Sequence, residues 1–434
     1  MAAVPDAVDT TVQPPLRVPL RHFLVALALL VPASACWIGA ALGAPLAGLA
    51  GVHLLLAGWI CLTIAGAMTQ FVPVWAGVPI HSIRLARAHL VLLAVGVLGV
   101  AAGVLVARFD IVALAGVALL AGLWALAYNV GRTLLRARPL DVTEGHFAFA
   151  LACFAVLPLL GLLLAGDYAG VVAVPHAAVL GAHATLAVFG AVGATVFGAL
   201  YQLATIFAQV DLDRFDRAAQ RVESTAYPLG VVLLAAGRLL AVDVAARIGG
   251  VLVAASVLLV AVVLARCLAR SRVAWTPMLR RYAFAAVAFA AWAVLSLPAW
   301  AADARGPATR FGAPHAFALL VVGAVGFVVL GTLYHVVPFL VWTDRYADRL
   351  GLETVPTLDD LYDDRSARVD FALTGGGAAL WAGGALAGVA LAVSVGTVAF
   401  AFGGALAAAN LARVVWRHSP GALAERFARE RDAA

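Results

Sequence analysis

Apolar runs of bilayer-spanning length recur along this chain from Arg21 to Arg417, separated by short polar stretches. About 20 apolar residues in a helix are enough to cross the hydrocarbon core. In lipid the backbone must satisfy its own hydrogen bonds, so runs of this kind confine the chain to a bundle of membrane helices. Composition agrees: 64% of residues are hydrophobic and 12% are charged, whereas a soluble domain is about a quarter charged. Soluble, fibrous and disordered classes are excluded, and the expected class is an all-α, polytopic membrane protein.

Twelve helices are expected, near 22–44, 47–75, 88–107, 110–135, 146–165, 174–207, 226–242, 246–269, 281–301, 314–342, 371–391 and 394–417. An even number puts both termini on one side. All 29 basic residues are Arg. With the N-terminus inside, only Arg108, Arg238, Arg247, Arg305 and Arg310 fall outside, so the charge bias places both termini in the cytoplasm of a cell-membrane protein. The net charge of +6 thus reports topology, not nucleic-acid binding. Residues 1–16 are polar and Pro-containing. They are read as a disordered cytoplasmic tail with no cleavable signal peptide. Residues 17–417 form one membrane domain, and 418–434 form a second cytoplasmic tail. The acidic stretch 343–370 is read as a solvated cytoplasmic loop.

An internal repeat organises the domain. Helices 2, 6 and 10 align without gaps on Gly-x7-Gly pairs: Gly58/Gly66, Gly190/Gly198 and Gly323/Gly331, spaced by 132 and 133 residues. Each has a histidine ahead of it: His53, His183 and His315. The first helix of each unit opens on an aromatic ring, His22, His146 or Tyr282. The fourth helices end alike, with Asn129, Arg132 and Arg136, with Arg266 and Arg270, and with Asn410, Arg413 and Arg417. The expected architecture is therefore three tandem parallel four-helix repeats, about 17–138, 139–272 and 273–417. Transporter plans built on inverted repeats or on two six-helix halves do not have this period.

Ionisable or metal-ligating side chains inside a bilayer are functional candidates. His53, His183 and His315 lie within about 4.5 Å of one depth, at 1.5 Å per residue. Neutral imidazole is the commonest biological metal ligand. Helical facing pairs His53 with His315 on one iron. His183 shares a face with His176, seven residues earlier, and these two serve a second metal site. The bland alternative for each is an interfacial ring at headgroup level. His335 occupies the repeat position of Gln70 and Gln202, where a polar contact between repeats is expected. His22, His81, His89, His146 and His418 are read as ordinary interfacial rings. Cys36, Cys61, Cys153 and Cys267 form no Cys-x-x-Cys pair. Nearly all Asp and Glu fall in loops or at helix ends, so no acidic relay inside the membrane is expected.

The run from His315-Ala-Phe-Ala to Gly323, and from Gly331-Thr-Leu-Tyr334-His335 to Pro338, resembles the tenth helix of the haem–copper oxidase subunit I superfamily. That resemblance implies twelve helices in three quasi-equivalent units. It also implies a low-spin haem, b-type, on His53 and His315, and a copper ligand at or near His183. The chain departs from the family at Phe317, where a second histidine stands in His-x-His. It also has no histidine on helix 7 and no His-Pro-Glu motif on helix 6, which leaves the copper site incomplete. The exit of helix 2, Phe71-Val-Pro73-Val-Trp75-Ala-Gly77, is similar to that of the NnrS family of twelve-helix haem-containing membrane proteins, linked to nitric-oxide stress.

The expected function is thus that of a membrane haem protein. Its work is electron transfer, or binding or reduction of a diatomic gas, O2 or NO. Its partners are membrane lipid and a redox donor protein or a quinol, and oxidoreductase chemistry is one form it takes. The alternative is a transporter, or a metal-handling or accessory membrane protein, without haem.

Overall fold

The computed structural model describes residues 13–137 and 139–419, so most of both expected tails lies outside the described residues. Within them the secondary structure is helical, apart from one isolated bridge between Leu350 and Glu353. Where α- and π-helical segments run on without a break, they form twelve long helices. These are α1 Arg17–Ala41, α2 Ala47–Ala76, α3 Ile83–Leu105, α4 Phe109–Leu134, α5 Val142–Tyr168 and α6 His176–Ala208. They continue as α7 Arg214–Leu239, α8 Asp243–Ala269, α9 Pro277–Ala302, α10 Ala318–Arg345, α11 Asp364–Ala387 and α12 Ala390–His418. Ten are long and apolar enough to cross a membrane, so the chain is a multi-pass helical membrane protein. The other two are α7 and α11, whose first turns carry charge.

Those charged turns explain the largest boundary corrections. α7 starts at Arg214 rather than near 226, and α11 at Asp364 rather than near 371. Charged residues can continue a helix past the apolar run when a cap starts it. Asp213 accepts from the Asp216 N–H (2.9 Å), Asp363 from the Ser366 N–H (2.6 Å), and Ser82, ahead of α3, from the Leu85 N–H (3.2 Å). The loop expected over 343–370 accordingly shrinks to the residues between Arg345 and Asp364.

Three helix pairs pack most extensively: α3–α4, α7–α8 and α11–α12. In each, a glycine brings the backbones together. A methyl at Gly103 would stand 3.0 Å from Val112 N, one at Gly249 2.7 Å from Gly230 O, and one at Gly384 2.8 Å from Val393 N. α4 packs on α5, α8 on α9, and α12 returns to pack on α1, which closes the ring. α2, α6 and α10 are the most enclosed: 67%, 83% and 89% of their apolar windows are buried, against 56% or less elsewhere. Each carries a π-helical stretch, at Leu54–Ile60, Leu186–Gly193 and Ala318–Gly326. Each also seats its second repeat glycine on the first helix of its unit. A methyl at Gly66 or Gly198 would lie 2.7 Å from the Cβ of His22 or His146, and one at Gly331 3.0 Å from the Tyr282 ring. The start of α1 and the end of α12 lie at one end of the bundle, here the terminal face; the other is the far face.

Candidate functional site

Two groups of chemistry-bearing side chains stand out, one toward each face.

Toward the far face, His53 sits on α2 one residue before its π-helical stretch, and His183 on α6 three residues before its own. The His53 Nδ1 is 2.9 Å from the Leu49 carbonyl, and the His183 Nδ1 is 3.1 Å from the Leu157 carbonyl on α5. A carbonyl only accepts, so both Nδ1 atoms carry the proton. In the neutral ring Nε2 is then left as a bare lone pair. The two histidines lie within electrostatic reach of one another. Gly161 makes room for one of them: a methyl there would stand 3.1 Å from His183 Cε1.

His315 is placed differently from the expectation. It does not lie on α10 but in the turn before it, exposed and with left-handed backbone (φ 64°). The expected start at 314 is therefore corrected to Ala318. The reason is the loop from Asp303 to Phe317, which is tied down from below. Buried Arg238 donates to the carbonyls of Ala304 (2.8 Å), Thr309 (3.2 Å) and Arg310 (3.0 Å). Trp300 and Trp292 donate to the carbonyls of Thr309 and Phe311, and Ser296 accepts from Ala313 N–H. Gly312 turns the chain at φ +106°, where a side chain would run into Ser296 and Trp292. Phe317 then packs on Trp37 of α1, ring centroids 5.6 Å apart.

His176 is held apart from His183 by its own partner. Its Nδ1 meets Asp167 Oδ2 at 2.8 Å, and its ring stands edge-on to Tyr168. Among the described residues no group of three or more His, Cys, Asp or Glu is gathered as a metal site. A closed zinc or copper cage needs three or four protein donors. Haem iron needs one or two, and a ligating His typically donates its other N–H to a carbonyl. On donor chemistry His53 and His183 therefore fit a haem iron.

Toward the terminal face lie three buried polar clusters that sequence reading missed. In the first, His22 Nδ1 donates to the Val18 carbonyl (2.8 Å), and its Nε2 is 3.3 Å from His89 Nδ1. In the second, His146 Nε2 is 3.2 Å from Glu223 Oε1, and the Tyr201 hydroxyl donates to Glu223 Oε2 (3.0 Å). In the third, Arg281 and the Tyr334 hydroxyl both donate to Asp370, and Asn410 donates to the Tyr334 oxygen (3.2 Å). Glu223, Asp370, Arg281, His22 and His89 are all fully buried. One expectation is corrected here: acidic groups do enter the bundle. His22, His89 and His146 stand near the starts of α1, α3 and α5, with their rings buried between helices. The signal was faint: Glu223 and Asp370 lie on the two helices whose charged starts hid their extent. His335 packs at a tilt against Phe207 of α6, with centroids 4.3 Å apart, so the contact between repeats seen at this position is aromatic where a polar one is expected.

No protein-family model matches this chain, and no curated protein matches it.

Proposed function

We propose that the chain is a b-type haem protein of the cell membrane, working in electron transfer or in binding or reducing a diatomic gas, O2 or NO. Its architecture in this reading is that of haem–copper oxidase subunit I: twelve spans in three tandem parallel four-helix units, both termini cytoplasmic. The recurring caps, glycine seats, π-helical stretches and ring closure support the threefold plan.

The observation that carries the haem reading is the donor state of His53 and His183: each sets Nδ1–H on a carbonyl, which leaves Nε2 of the neutral ring free as a donor to iron. His53 would hold the iron, with His183 or His315 as the second donor. The Nδ1 hydrogen bonds fix ring orientation and raise ligand basicity. When bound, haem would supply a one-electron couple and a site for a diatomic gas. His53 and His183 are partly buried, on α2 and α6, whose apolar residues are largely enclosed. A copper ion beside His183 would lack the three or four protein donors of a closed site among the described residues. The electron source is a redox donor protein or a quinol.

The test is a reduced-minus-oxidised optical spectrum of the detergent-purified protein from a haem-replete host. Haem bands lost in His53→Ala support the reading. Comparing His183→Ala with His315→Ala identifies the second donor. A colourless wild-type protein ends the haem reading.

A second reading, a transporter or metal-handling protein without haem, is favoured by one observation: the buried ionisable groups Glu223 and Asp370. A colourless protein would move the weight to it.

A further inference from the structure

The three terminal-face clusters occupy matching places but differ in charge. Each sits where the first helix of a unit meets its second and third: His22 with His89, His146 with Tyr201 and Glu223, Arg281 with Tyr334 and Asp370. Tyr201 and Tyr334 each follow the second repeat glycine, Gly198 or Gly331, by three residues.

Counting protons separates them. In the third cluster Arg281 is a permanent cation and neutralises Asp370, so no further proton is needed. In the first, His22 Nδ1–H points at Val18 O, which leaves Nε2 to accept from His89 Nδ1–H. Two neutral rings satisfy that pair, and His89 Nε2 is left buried without a partner. The second cluster does not balance. His146 Nδ1 is 2.8 Å from the Val142 carbonyl and so carries its proton there. A neutral His146 would then turn a bare Nε2 toward a Glu223 oxygen 3.2 Å away. Two acceptors facing each other in a buried site repel. Tyr201 cannot mend this, because its one hydroxyl proton goes to the other carboxylate oxygen. The geometry requires one more proton between Nε2 and Oε1, carried as imidazolium or as carboxylic acid.

A route to this place is present. A cavity of about 320 Å³ opens between α5, α6 and α7, lined by Asp141, Thr143, Tyr201, Gln202, Asp211 and Gln220 among others. Tyr201 is thus on the cavity wall and on Glu223 at once. Gln202 Nε2 donates to Asp141 Oδ2 (3.3 Å) at the same wall. The groups facing Glu223 are His146 from α5, Tyr201 from α6 and, one turn on along α7, Tyr227, whose hydroxyl is committed to the Phe189 carbonyl. Charged groups nearer the terminal face include Asp141, Glu144 in its capping box with Asp141, Asp211 on the cavity wall, and the network in which Arg266 and Arg270 balance Asp213 and Asp216.

From this geometry we infer that His146, Glu223 and Tyr201 form a proton-binding site inside the bundle, filled from the terminal face through the cavity at Asp141 and Gln202. The bound species is a single proton, shared between an imidazole nitrogen and a carboxylate oxygen. No oxidation or group transfer is involved, and the site stands whether or not the protein carries haem.

Glu223→Gln tests it without disturbing shape. The amide N–H of Gln donates to His146 Nε2, and its oxygen still accepts from Tyr201, so the variant needs no added proton. The experiment is a pH-titrated infrared difference spectrum of the full-length protein in lipid vesicles. In wild type, imidazolium or protonated-carboxyl bands are expected to titrate and to shift in D2O. In Glu223→Gln those bands are expected to be lost. Gln202→Leu, which blocks the cavity wall and leaves the three residues in place, is expected to slow the H/D exchange of the wild-type bands at least tenfold. Identical difference spectra for wild type and Glu223→Gln would overturn the site. Unchanged exchange in Gln202→Leu would overturn the route. If Glu223→Gln fails to accumulate, His146→Gln is the second variant: its bands must also be lost, and their persistence counts against the site.

Discussion

Asn410 clasps the backbone of Asp363 at both of its polar groups: its amide donates to the Asp363 carbonyl (3.0 Å), and its oxygen accepts from the Asp363 N–H (3.1 Å). Asn129 holds Ser82 the same way, at 2.9 and 2.8 Å, across the same separation of 47 residues. In both cases the clasped residue caps the third helix of a unit and the Asn lies on the fourth. In the middle unit the capping residue is Asp213, and Arg266 and Arg270 replace the Asn. One job, fixing a helix start to the end of its partner, is thus done twice by an amide and once by an ion pair.

The first prediction follows from that clasp. Asn129→Leu and Asn410→Leu each remove two hydrogen bonds from the partly buried backbone of the capping residue. The expected loss is about 1–3 kcal/mol per variant, read as a lower unfolding midpoint in detergent. Asn410→Leu is expected to cost more, because Asn410 also donates to Tyr334. Equal midpoints for wild type and both variants would sink the assignment.

Close helix approach gives a paired prediction. At Gly249 an added methyl would collide with the Gly230 carbonyl and the Leu234 backbone, neither of which can swing away. Gly249→Ala is expected to destabilise by about 1–3 kcal/mol. At Gly383, in the exposed face of α11, an added methyl meets nothing within 4 Å. Gly383→Ala is expected to be neutral or to stabilise by up to about 1 kcal/mol, since Ala loses less backbone freedom. Thermal unfolding of the two variants side by side checks the difference in sign.

These contacts show what periodicity can and cannot carry. The apolar runs located the helices, and the glycine register singled out α2, α6 and α10, which prove the most enclosed. Hydropathy does not locate the starts of α7 and α11, because it marks lipid depth, whereas a helix begins where Asp213 or Asp363 caps it. The repeat alignment runs through His315 and so puts it on α10, whereas the chain turns there. The turn is set by Arg238, Trp292 and Trp300, which are far away or out of register in the sequence. His146 and Glu223 are 77 residues apart, and only the packing of α5 against α7 makes them neighbours. Their pairing leaves no local pattern to read.

The Arg281–Asp370 pair allows a double-mutant test. Both residues are fully buried, and the Arg281 guanidinium also lies over the Tyr334 ring at 4.2 Å. Asp370→Asn leaves a buried cation without its counter-charge, which typically costs about 3–5 kcal/mol. Adding Arg281→Met removes the orphan charge and refills its volume. The double variant is expected to recover most of the loss. Additive losses in the unfolding midpoints would mean that the two residues do not act as a pair.

Acid stability tests the ion-paired cap of the middle unit. Asp213 lies ahead of α7, outside the spanning segments. Its carboxylate is held below the usual range, first by the Asp216 backbone N–H and then by Arg266 and Arg270. A group whose pKa is lower folded than unfolded stabilises the fold above its unfolded value, about 3.9 for Asp. That contribution fades as pH falls through the folded value, because protonation breaks both the cap and the ion pairs. Asp213→Asn keeps the cap, since Asn is also a good N-cap, but removes the charge. The variant is therefore expected to be less stable than wild type at neutral pH, with the gap closing as pH drops below about 4. A gap that stays constant across that range would show that the Arg266 and Arg270 contacts contribute through shape and not through charge.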